Sequence, residues 1–133
     1  MRAELVKYPV KNPPDPRTEK IIGAAIEVHR NLSPGLLEAI YEEALCIELE
    51  MRSLAVQRQL DFDMCYKGHV IKGQRFDLLV ENQVVVELKS VATLPDVATS
   101  QVLSCLKASG KKRDLLINFG LKKLVDGIVR LSN

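Results

Sequence analysis

Along the chain the apolar positions change period several times, and each change marks an element. Ile21, Ile22, Ala25 and Val28 recur at helical spacing, so residues 19–30 predict a helix with Thr18 as its cap. "NLSPG" breaks that pattern. Ser33 followed by Pro34 combines a cap with a first-turn proline and predicts a second helix lasting to Met51. Residues 54–66 read as a strand with imperfect alternation, Lys67-Gly68 as a turn and residues 70–80 as the next strand. Glu81-Asn82-Gln83 is a short polar connection into residues 84–91, which completes an antiparallel meander. Pro95 and Asp96 open a helix to Ser109, Gly110 ends it, and "DLLINFG" is a further strand reached by a crossover. A last strand over residues 123–131 is expected to pair at an edge. The order ααβββαββ predicts an α/β chain of the α+β kind, with helices packed on a mixed sheet.

Residues 1–17 hold four of the six prolines and show no period, so an extended N-terminal arm is expected before a single domain over 18–133. A chain of 133 residues suits one core. Its 47% hydrophobic and 27% charged content is ordinary for a globular protein, and no apolar run is long enough to span a bilayer. The start "MRAELVKYPVK" lacks the apolar segment of a secretory signal, which makes a cytoplasmic location the default expectation. Cys46, Cys65 and Cys105 are too scattered for a metal site and read as reduced, buried thiols.

The formal charge of +2 is small but unevenly spread. Between residues 31 and 51 every charge is acidic, whereas Lys107, Lys111, Lys112, Arg113, Lys122, Lys123 and Arg130 crowd the C-terminal part against Asp114 and Asp126. A basic rim around an acidic centre is compatible with phosphate backbones, as it is with solvated surface lysines.

The stretch "VVVELKS", residues 84–90, concentrates the candidate chemistry. If 81–83 is a three-residue loop, Val80 faces Val84 and Asp77 lies opposite Glu87. Phe76, Leu78 and Val80 with Val84, Val86 and Leu88 then form one apolar face, and the other gathers Arg75, Asp77, Glu87 and Lys89. Like charges directly opposite repel unless something sits between them. Two carboxylates converging from rigid strands suit a hard divalent cation, Mg²⁺ above all, with waters and a substrate phosphate completing its shell. The same residues would also serve as a structural ion-pair cluster, and a bulge in the turn would shift the register. A second clue is "SPGLLEAIYEEAL", which places Glu38, Tyr41 and Glu42 on one helical face beside an apolar stripe of Leu37, Ile40, Ala44 and Leu45. That stripe is expected to pack on the sheet. Glu38 at its border then needs a partner, either the cation or a lysine.

"GLLEAIY" at 35–41, with "EVHRNLSPGLLEAIYEEAL", "FDLLVENQVVVELKS" and "LLINFG", resembles the GxxExxY proteins, a branch of the PD-(D/E)XK nuclease superfamily with a restriction-endonuclease-like fold. The resemblance implies that Asp77 is the motif aspartate and that Glu87 with Lys89 is the (D/E)XK half. It implies a metal-dependent nuclease in which Asp77, Glu87 and the Leu88 backbone carbonyl hold Mg²⁺, with Mn²⁺ as a substitute, and Lys89 orients the attacking water. Glu38 matches a glutamate that assists the metal or its waters, and Gln101 a glutamine that helps position substrate. Phe76 stands where the superfamily name has proline, and Cys105 where relatives tend to carry tyrosine. His29 fits the family pattern too, although a lone histidine near a helix end reads as a cap or packing residue. The implied partner is nucleic acid, with no membrane. DNA is expected ahead of RNA as the nuclease's substrate, and aromatic content of 5% without tryptophan leaves few stacking platforms and favours a backbone-reading duplex binder. Oligomeric state stays open, a homodimer included. The alternative is a catalytically inactive module on the same fold that binds nucleic acid or protein.

Overall fold

The structure, a computed structural model, describes residues 4–7 and 15–132. Its elements are β1 (Glu4–Lys7), α1 (Pro16–Leu32), α2 (Glu38–Met51), β2 (Val56–Tyr66), β3 (His69–Val80), β4 (Val84–Lys89), α3 (Val97–Ser109), β5 (Arg113–Asn118), a 3-10 turn (Leu124–Gly127) and β6 (Ile128–Ser132). The six strands form one sheet in the order β1-β6-β5-β4-β3-β2. Strands β4 and β5 run parallel through the α3 crossover and the other neighbours are antiparallel. The expected order ααβββαββ is present, preceded by one strand more.

Alternation along the central strands feeds two apolar layers. Leu78, Val80, Val84, Val86, Leu88, Leu115 and Ile117 pack under α1 and α2 against Ile21, Ala25, Tyr41, Leu45 and Leu49. Leu79, Val85, Leu116, Val129 and Leu131 pack under α3 against Ala98, Val102 and Leu106. Each such side chain, fully buried, contributes roughly 1.5–3 kcal/mol of hydrophobic stabilisation. Glu87 and Lys89, in phase with Val85, therefore face the α3 side.

Several expectations are corrected. Glu4–Lys7, expected in an extended arm, pairs with β6, so the last strand is not an edge. Four residues are too few to show a period, and main-chain bonding to the strand edge needs none. Residues 8–14 of the expected arm lie outside the described residues. Helix α1 starts at Pro16, not after Thr18: the Asp15 side chain accepts from the N–H groups of Arg17 and Thr18, and Thr18 is buried. Helix α2 starts at Glu38, because Ser33 (φ 64°) and Gly35 (φ 102°) hold the preceding segment out of helical geometry. Strand β6 begins at Ile128, after the 3-10 turn. The α2 stripe also faces elsewhere. Leu37 and Ile40 are 75% and 44% exposed, while Tyr41, Leu45 and Leu49 fill the core. Finally, Phe76 joins the α3 layer rather than that of Leu78 and Val80. Between the Arg58–Leu78 and Leu60–Phe76 pairs, Gln59 has φ 50°, which breaks the alternation opposite Asp77.

Candidate active site

The hairpin register is Val80 to Val84, Leu79 to Val85 and Leu78 to Val86, the alignment expected from a loop at 81–83. Pairing ends there. The Asp77 carboxylate takes the next rung by accepting the Leu88 N–H at 2.8 Å. In an extended strand a residue's N–H and C=O point the same way, so the Leu88 carbonyl opens toward the same side of β4 as its N–H.

Glu87 is half-buried, and Asp77 stands close enough for its charge and hydrogen bonding to act on the Glu87 carboxyl. Burial first, then the charge and hydrogen bond of Asp77, push the Glu87 carboxyl up to about 8, while Lys89 pulls it the other way. A third acid lies on the neighbouring strand. Asp114 sits opposite Val85 and alternates with Leu115, which puts it on the Glu87 face of the sheet. It is buried, and among the described residues neither carboxylate oxygen has a hydrogen-bond partner. Its pKa lies well above the ordinary value, through burial and then the charges of Glu87 and Asp77. On α3, Cys105 is half-buried, and burial and then the charges of Glu87 and Asp114 raise its thiol; of the other two thiols expected to be buried, Cys46 is and Cys65 is exposed. Sequence reading passed over Asp114 as one charge in a basic region. Its signal was an acid in phase with Leu116, directly before the apolar run Leu115 to Ile117.

The end of β4 is held from three sides. Ser90 Oγ donates to the Leu36 carbonyl at 2.5 Å. Asn118 is buried, accepting from the Val91 N–H at 3.1 Å and donating to the Val91 carbonyl at 2.9 Å. Gly120 lies so close to Val91 that a Cβ there would stand 2.3 Å from its carbonyl oxygen. The "NFG" of the C-terminal motif therefore serves to fix the segment that follows Lys89.

In the GxxExxY stretch the roles divide. Gly35 has φ 102°, a conformation that favours glycine. Tyr41 is fully buried, stacks on Phe119 at 4.5 Å, donates to the Ser33 carbonyl and accepts from the Leu36 N–H. Both residues shape the segment that meets Ser90. Glu38 is exposed at the first turn of α2 and, among the described residues, makes no hydrogen bond or ion pair, so it does not border the core as expected. Gln101 is exposed on α3, one turn before Cys105. The structure thus brings together Asp77, Glu87 and Lys89, and leaves Glu38 and Gln101 without a contact to them. Among the described residues no group of three or more His, Cys, Asp or Glu is placed to hold a metal ion. His29 is a packing residue: it is buried, its Nε2 is 2.8 Å from the Leu121 carbonyl oxygen, and its ring lies beside Phe119.

A mixed sheet with helices on both faces and an acid pair beside a lysine at a strand parting defines a restriction-endonuclease-like chain. A family model described as the PD-(D/E)XK nuclease superfamily matches residues 15–131, and the chain belongs to that superfamily. Comparison with curated proteins and with solved structures gives no significant match. No described helix is long and apolar enough to cross a membrane.

Proposed function

We propose that this protein is a divalent-cation-dependent nuclease of the GxxExxY branch that hydrolyses phosphodiester bonds, in DNA ahead of RNA. The observation that carries the reading is the approach of the Asp77 and Glu87 carboxyl groups on the face that also carries Lys89, where burial and then the Asp77 charge act against ionisation of Glu87. The residues fit the cation the superfamily implies. Two carboxylates and the Leu88 carbonyl on one side of a strand suit Mg²⁺, which keeps several waters and a substrate phosphate among its ligands, so a third protein carboxylate is not required. Asp77, Glu87 and the Leu88 carbonyl would hold it, with Mn²⁺ as a substitute. When bound, the cation supplies Lewis-acid stabilisation and an easily deprotonated water.

The chain's own residues do the rest. Asp77 is fixed by the Leu88 N–H, so its carboxylate is pre-aligned. Lys89, two residues beyond Glu87 on the same face, orients the attacking water or a phosphate oxygen. By the superfamily pattern Glu38, on the first turn of α2, would act on the cation's waters, and Gln101, on α3, on the substrate. A nuclease panel of single- and double-stranded DNA and RNA with Mg²⁺, Mn²⁺ or chelator tests the reading: cleavage with either ion and none with chelator is expected.

The second reading is a catalytically inactive module on the same fold. It is favoured by Glu38, which makes no hydrogen bond or ion pair among the described residues. Binding of nucleic acid without cleavage in any arm of the panel selects it.

A further inference from the structure

The β2–β3 hairpin extends well past the site it helps to build. From His69 to Arg75 every residue of β3 is exposed, and burial begins at Phe76, next to Asp77. The root is anchored: Phe62 stacks on Phe76 at 4.3 Å, and Leu60 and Phe62 pack into the α3 layer. Beyond the root, Lys72 and Gly73 stand against the single Asp63, a bulge in which Gly73 has φ 98°. Bulges bend and twist a ribbon, so the outer part is aimed by the fold rather than continuing the sheet. That outer part is chemically distinct. Residues 63–75 contain Lys67, His69, Lys72 and Arg75 against one acid, Asp63. Tyr66, Val70 and Ile71 at the tip are 60%, 55% and 49% exposed.

We propose that the outer β2–β3 hairpin is an arm that lies in the major groove of duplex DNA whose scissile phosphate sits at Asp77 and Glu87. This rests on the nuclease reading above and extends it to a substrate form. Reach supports it. At about 3.3 Å per residue the nine steps from Asp77 to Gly68 span roughly 30 Å, close to one turn of B-form duplex. A two-stranded ribbon fits the major groove of DNA, about 12 Å wide, whereas the deep, narrow major groove of duplex RNA excludes it.

Charge supports it as well. The pairs Lys72–Asp63 at 3.5 Å and Arg75–Asp61 at 2.9 Å are largely exposed on both sides, so water screens them and phosphates can replace the carboxylates. Lys67 lies 5.4 Å from the Tyr66 ring and belongs to the same tip. Apolar side chains at such a tip pack against thymine methyls or wedge between base steps. Pairing with a second copy through the β2 edge is disfavoured by the charges of Arg58, Asp61 and Asp63 along that strand, which blunt edge-to-edge association.

The test is equilibrium binding by fluorescence anisotropy, using the Asp77→Asn protein so that substrate is not cut. The probes are a DNA duplex longer than two turns, its separated strands, and the RNA duplex of the same sequence. Lys67→Glu with Lys72→Glu should weaken binding to the DNA duplex about tenfold or more and lower its salt slope by about 2, with little change for single strands. Tyr66→Ser with Ile71→Ser should also weaken binding to the DNA duplex without lowering the slope. All four positions are exposed, so folding is checked by unchanged thermal unfolding. If the DNA duplex binds but both variants match the parent in affinity and slope, the arm is overturned and the nuclease reading stands. If the RNA duplex depends on the same residues to the same degree, groove insertion is overturned. A change in sedimentation with no change in DNA affinity makes the hairpin a contact between copies, which also overturns the arm. If the unmodified protein neither binds nor cuts any nucleic acid, both readings fall.

Discussion

The Asp77 carboxylate accepts the Leu88 N–H at 2.8 Å, so a side chain replaces a main-chain rung where β3 and β4 part. Asp77 therefore has a structural role beside the chemical one proposed for it, and substitution separates the two. Asp77→Asn keeps an oxygen acceptor and should fold nearly as the parent while losing cation affinity. Asp77→Ala leaves the Leu88 N–H unpaired and should lower stability by a further ~1–3 kcal/mol. Urea unfolding beside calorimetric Mg²⁺ titration measures both. Equal stability of the two variants would remove the structural role.

Stability should depend on pH through Glu87. Its carboxyl is pushed up from 4.5 to about 8, so the folded state keeps a proton that the unfolded chain releases across that window. The stabilisation linked to this proton is complete below the lower value and lost as pH rises toward the upper one, at about 1.4 kcal/mol per pKa unit. Cation-free protein should therefore become less stable as pH rises through the window, and Glu87→Gln should flatten the curve. Denaturant unfolding in chelator, repeated across the window, checks the sign. A stability that rises there contradicts the assignment.

Asp114 offers a substitution expected to stabilise. Its carboxyl is buried, has no hydrogen-bond partner among the described residues and is held toward the neutral form by burial and by Glu87 and Asp77. Asp114→Val suits a strand interior, removes the unpaired oxygens and should raise stability by ~1–3 kcal/mol, most at high pH. Thermal unfolding at both ends of the Glu87 window shows it. A lowered midpoint would mean that Asp114 has a partner essential to the fold.

Lys89→Ala removes no oxygen ligand and withdraws a positive charge that acts on Glu87. Mg²⁺ affinity should persist or rise slightly while cleavage falls by ~10²–10⁴-fold, the range for a positioned proton-handling group. Cleavage at the parent rate would leave the cation site standing and the lysine without its role.

Tyr41→Phe keeps the stack on Phe119 and deletes the bonds to Ser33 and Leu36, at 2.5 and 3.1 Å. The loss should be ~1–2 kcal/mol in stability, with cleavage reduced and cation affinity unchanged. Unfolding, cleavage and calorimetry on one preparation separate these effects.

The chain's local signals determined much of this arrangement. The three-residue connection at 81–83 and the run of valines after it set the Val80–Val84 register, because turn length and period two act between neighbours in sequence. Alternation along β4 places Glu87 and Lys89 on one face, and Asp96 and Gly110 likewise bracket α3. Tertiary structure decided the rest. Helix α2 has two apolar stripes, one through Ile40, Ala44 and Ile47 and one through Tyr41, Leu45 and Leu49, and periodicity cannot choose between them. Packing against α1 and β4 chose the second and left Leu37 and Ile40 in solvent. Strand β1 is defined only by the edge of β6, and Asp114 becomes a neighbour of Glu87 only when the α3 crossover lays β5 beside β4. Those contacts join residues far apart along the chain, so their free energy appears only when the sheet closes, and no local pattern records it.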